Sequence, residues 1–154
     1  MRKSVQISVV VALTAVLGAC GGSGSSYNGL SKADFVNQAE AICTAGNTKI
    51  AKISAGFNGT QPTIEQFKTA YLNQLIPIFH GEVNDLRALK PPAADRDKIK
   101  QMLDDLSTGV DQAKAQVEGA KSQAELATIK EPAKMKAAST EARAYGLVTC
   151  GSDS

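Results

Sequence analysis

A chain of 154 residues is long enough for one domain with a core of its own. Its 17 Lys and Arg oppose 15 Asp and Glu, and the excess of +2 equals the two cations Arg2 and Lys3 at the extreme N-terminus. The remainder is formally neutral, which gives no evidence for a nucleic-acid partner, since that would need a basic face. A single histidine excludes His-rich metal centres.

The first element follows Met1-Arg2-Lys3. From Val5 to Ala19 the chain is almost all Val, Ala, Leu, Ile, Ser or Thr, with Gln6 the one strongly polar exception. This apolar run of about 15 residues falls short of the ~20 that a membrane-spanning helix needs. Small residues, Gly18 and Ala19, close it in the manner of a secretory cleavage site, and Cys20 follows directly. The run Leu17-Gly18-Ala19-Cys20 resembles the lipobox of bacterial lipoprotein precursors. The resemblance implies a signal peptide over residues 1–19, with Leu17, Gly18 and Ala19 as peptidase recognition positions. It implies a diacylglycerol group on the Cys20 thiol and a further acyl chain, such as palmitate, on the new amine. Two or more chains hold a protein stably where one binds marginally, at ~0.8 kcal/mol per buried CH₂. The expected location is the cell membrane, with the domain lipid-anchored on the extracytoplasmic side. Gly21 follows the cysteine where a retention signal would place Asp.

Residues 20–30 then read as the lipidated cysteine and a Gly/Ser tether, its flexible part reaching ~15–18 Å on average. Residues 31–151 read as the folded domain and 152–154 as a tail. The first helix is expected from Ser31, where Ser31-x-x-Asp34 approximates a capping box. Phe35, Ala39, Ile42, Gly46, Ile50 and Ile53 form its apolar stripe, with Val36, Cys43 and Ile50 one step round. Gly46 reads as a place for close helix contact. A Gly/Asn/Pro-rich loop over 56–62 precedes a second helix from Thr63, capped by Thr63-x-x-Gln66. Its stripe runs through Ile64, Phe67, Tyr71, Leu75, Ile78, Phe79, Val83, Leu86 and Leu89, and Pro77 inside it predicts a kink. Pro91-Pro92 stops it.

The third helix is expected over 94–118, with Ile99, Met102, Leu106, Val110, Ala113 and Val117 at near-heptad steps. The fourth opens with a Ser122-x-x-Glu125 capping box and continues through Leu126, Ile129, Met135, Ala138, Ala142 and Tyr145, interrupted at Pro132. Gly146 and Leu147 read as a glycine stop and its apolar contact. No segment alternates with period two. The expected architecture is all-α: an antiparallel four-helix bundle with proline-kinked helices. Once the lipid takes Cys20, Cys43 and Cys150 remain in an exported chain, where a disulfide is expected. It would close a loop of about 107 residues and contribute roughly 4–5 kcal/mol.

Residues 30–35 (Leu-Ser-Lys-Ala-Asp-Phe) and the run Ala39-Glu40-Ala41-Ile42-Cys43 open the domain. Leu75-Ile76-Pro77-Ile78 and the segment ending Lys90-Pro91-Pro92 lie at its middle, and Tyr145-Gly146-Leu147-Val148-Thr149-Cys150-Gly151 at its end. Together these resemble a family of small exported lipoproteins of actinobacteria. The resemblance implies the bundle and the Cys43–Cys150 bond, and no activity or ligand.

Catalytic constellations are not evident. A di-metal bundle needs Glu-x-x-His, and Pro77 occupies the glutamate position before His80. No Gly-x-Ser-x-Gly turn is present. Asp95, Asp97, Asp104 and Asp105 read as a solvated helix face beside Lys98 and Lys100. Tyr71 and Tyr145 read as core residues, with edging a pocket as the alternative. No enzymatic activity, cofactor or metal is implied. The leading expectation is a non-enzymatic protein acting through a surface for an envelope partner, with no nucleic acid. The alternative is a small-molecule or lipid carrier with its ligand between kinked helices. A dry, connected cavity of more than a few hundred Å³ near Pro77 would favour the carrier. A filled core with an exposed apolar patch would favour the partner surface.

Overall fold

The computed structural model describes residues 28–57 and 61–152. Leu17, Gly18, Ala19, Cys20 and most of the tether lie outside the described residues. Those described are helical with no strand. Helix α1 (Lys32–Ala55) begins where its cap predicts: Ser31 Oγ accepts from the Asp34 N–H at 3.1 Å. Its buried face is Phe35, Ala39, Cys43 and Gly46, so Cys43 takes the core place that the stripe assigned to Ile42, which is half-buried.

Helix α2 (Ile64–Ala70) opens with a complete capping box. Thr63 Oγ1 accepts from the Gln66 N–H, and Gln66 Oε1 accepts from the Thr63 N–H at 2.9 Å. The kink expected at Pro77 is instead a π-helical turn, Tyr71–Leu75, just before it, leading into α3 (Ile76–Ala88). The Ile76 N–H bonds to the Tyr71 carbonyl five residues back. Pro77 thereby falls in the first turn of α3, where its missing N–H leaves no gap. The wider turn also moves the stripe: Ile76 enters the core and Leu75 is half-buried.

A 3₁₀ turn (Ala93–Asp95) leads into α4 (Arg96–Gly119), and the Lys90 carbonyl before it accepts from the Leu30 N–H at 2.8 Å. Helix α4 buries Ile99, Met102, Val110, Ala113 and Val117 as its heptad-like steps predict, and also Leu103 and Gly109. Its C-terminal carbonyls are satisfied from α2: Lys68 Nζ donates to Glu118 O at 2.7 Å and Ala120 O at 2.9 Å, a cation at the negative end of the helix dipole.

The fourth predicted helix is two elements, α5 (Gln123–Leu126) and α6 (Ala133–Tyr145). Pro132, buried, stands directly before α6 and disfavours helical geometry in Glu131, whereas α5 has already ended at Leu126. The Ser122 cap is half a box: Ser122 Oγ accepts from the Glu125 N–H, but the Glu125 carboxylate accepts from the Lys121 N–H at 2.7 Å. Helix α6 lies so close to α4 that a Cβ on Gly109 would come within 2.6 Å of Met135 N.

Gly146 ends α6 at φ 110°, the left-handed region that glycine alone adopts freely. The Gly146 N–H bonds to Arg143 O, and the Leu147 N–H to Ala142 O at 2.8 Å, which is a Schellman arrangement with Leu147 fully buried. The tail then returns to α1. Cys43 and Cys150 form the expected disulfide, with Cα atoms 5.1 Å apart. Beside it the Thr149 N–H donates to both Glu40 carboxylate oxygens at 3.0 Å. Phe35 meets Tyr145 edge-on at 6.0 Å, and the Tyr145 hydroxyl donates to Asp95 at 2.7 Å. Helix α3 packs against both α1 and α4, and α4 against α6.

Candidate ligand-binding cavity

A cavity of about 510 Å³ opens between the helices, beside the π-helical turn. Helix α1 contributes Cys43, Asn47, Ile50 and Ser54, and the π turn contributes Tyr71 and Leu75. Phe79, Glu82 and Leu86 come from α3, and Leu106 and Val110 from α4. Met135 and Ser139 of α6, Glu131 before it and the disulfide-bearing tail close the remaining wall. The π turn matters to this geometry, since such turns re-aim the side chains of a helix and recur at functional sites.

The lining is mostly apolar, and its only charged members are Glu82 and Glu131. Glu131 is exposed, whereas Glu82 is half-buried. The Glu82 carboxylate lies directly over Gly46, where a Cβ would collide with Oε1. The expected close helix contact at Gly46 is therefore a berth for a side chain. Glu82 also lines a second cleft, of about 460 Å³, with Lys49, Pro77 and Asp85. No hydrogen bond or ion pair holds Glu82 among the described residues. Burial pushes its carboxyl up to about 7, with Lys49 pulling down and Asp85 pushing further up. Burial likewise raises Tyr71, whose ring stacks on Phe67 at 5.8 Å.

The residues singled out from sequence separate clearly. Cys43 and Cys150 meet, and both border the cavity. Tyr71 lines the cavity while Tyr145 is core, so the two tyrosines have different roles. His80 is half-buried and lies 3.3 Å from Asp111 on α4. Asp104 and Asp105 are less solvated than expected: Asp104 bonds to Lys100 and, across to α3, to Arg87, and Asp105 to Lys134 of α6 at 2.7 Å. Glu82 was not legible as a site residue. One signal was present: Phe79 and Leu86, at three and four positions from it, put this carboxylate on the apolar face of its helix. No family model matches the chain, and no curated protein and no solved structure matches it.

Proposed function

We propose that this protein is a lipid-anchored binding protein of a bacterial cell membrane, facing the extracytoplasmic side, that holds a small, largely apolar ligand between its helices. The observation that carries the binding role is the cavity of about 510 Å³ beside the turn that precedes Pro77. Its volume is that of small-molecule sites, and its lining sets apolar side chains beside polar ones such as Glu82 and Asn47. The carrier reading is favoured over the partner surface. Among the described residues Val148 is the single exposed large hydrophobic, too little for a docking patch. The frame is read as an antiparallel four-helix bundle of α1, the α2–α3 run, α4 and α6. The pairings of α1 with α3, α3 with α4 and α4 with α6 support that order.

The anchor rests on Leu17-Gly18-Ala19-Cys20. Cys20→Ala leaves the precursor unprocessed or the protein in the aqueous phase of a detergent partition. A processed Cys20→Ala form that still enters the detergent phase overturns the anchor. For the cavity, Leu106→Trp fills the space from the α4 wall. It weakens binding of the neutral probe N-phenyl-1-naphthylamine by at least about tenfold, or ~1.4 kcal/mol, with the helical circular dichroism retained. Equal probe affinity in a folded Leu106→Trp protein refutes the cavity as the site.

A further inference from the structure

Resting on the reading of the cavity as a ligand site, we infer that its ligand is an amphiphile with a cationic nitrogen head, seated on the Glu82 carboxylate with its apolar body between the helices. The cavity presents two carboxylates, Glu82 and Glu131, and no Lys or Arg among its lining residues. Lys49, the cation nearest in effect to Glu82, lines the second cleft and not this cavity. An anionic head would meet carboxylates of its own sign in a medium that screens poorly. A cationic head supplies the charge that the site lacks.

Geometry supports the same end. Glycine at position 46 leaves room for the Glu82 carboxylate against α1; Gly46 itself lines the second cleft, so the acid stands in the wall that the cavity and that cleft share. Phe79 and Tyr71 are aromatic members of the same lining, Tyr71 with one side of its ring stacked on Phe67, and aromatic rings attract cations. The faces from α4 and α6, Leu106, Val110, Met135 and Ser139, carry no charge and suit an apolar body.

Protonation supplies a further handle. Glu82, pushed up to about 7, is largely ionised at pH 8 and largely neutral at pH 5.5. The groups that bear on it are Lys49 of α1 and Asp85 of its own helix, while Tyr71 of the π turn and Glu131 share the cavity lining with it. A cationic ligand therefore binds more tightly as pH rises through this range, and an anionic one more weakly.

The test titrates the full chain as cells produce it, in nanodiscs where lipidated, with empty discs as the blank. The probes are a matched set: 4-phenylbutylamine, 4-phenylbutan-1-ol and 4-phenylbutyrate. At pH 8 the amine is expected to bind at least about tenfold more tightly than the acid, with the alcohol between them. Glu82→Gln brings the three within about threefold of one another, whereas Glu131→Gln keeps the amine preference. Wild-type preference for the amine also shrinks at pH 5.5, which tests the seat without any variant. Equal binding of amine and acid, tighter binding of the acid, or a preference that follows Glu131 overturns the inference while leaving the cavity as a site. Failure of all three probes to bind overturns the cavity reading itself.

Discussion

Glu82 and Gly46 form a pair whose meaning arises only in three dimensions. The glycine leaves the space, the carboxylate occupies it, and burial then disfavours the ionised form. The stability consequence has a definite sign. A carboxyl whose folded value is raised to about 7 from an ordinary 4.5 stabilises the fold fully below the ordinary value. That contribution is lost as pH rises through about 7. With solvent still reaching the group, the size is reduced to about 1–2 kcal/mol. Glu82→Gln, which mimics the neutral acid, should match wild type at pH 4 and exceed it by about 1–2 kcal/mol at pH 8 in urea unfolding. Identical stability at pH 8 would sink the picture of a desolvated acid. Caps such as Ser31 and the Thr63–Gln66 pair were legible because donor and acceptor lie three residues apart in one segment. The berth of Glu82 was not, because its other half is on α1.

Helices ended where local chemistry dictates and bent where packing does. Gly146 was legible as a stop, and its φ of 110° shows why the position takes glycine. Gly146→Ala should lower stability by about 1–2 kcal/mol in thermal unfolding, since alanine resists this conformation and Leu147 behind it is fully buried. An unchanged melting temperature would mean that the tail finds another route to the core. The proline signals were half-legible. Pro77 announced a disturbance, but nothing local says that an extra residue is absorbed into a π turn over Tyr71–Leu75. The wider turn accompanies burial of Ile76, which no local pattern announces. Likewise Pro132 marked a break, but nothing local says that α5 ends as early as Leu126.

At the scale of the molecule, the helical class and the disulfide were both legible, the first from period and the second from counting cysteines. The cavity was not, since it is the space left by side chains from every long helix. The disulfide closes a separation of 107 residues, and the chain-entropy argument gives it roughly 4–5 kcal/mol. Reduction, or Cys43→Ala with Cys150→Ala, should lower the urea midpoint by a corresponding amount. A midpoint that does not move with reductant would show that the unfolded chain gains nothing from release. The bond also contributes to the cavity wall, so probe binding should weaken along with stability.

That bond and the Glu40 clasp on Thr149 fasten the tail to the middle of α1. The wall formed by Tyr71 and Leu75 has no such fastening and belongs to a turn already wider than an ordinary helix. The cavity thus has a riveted side and a merely packed side, like a shutter hung from one jamb.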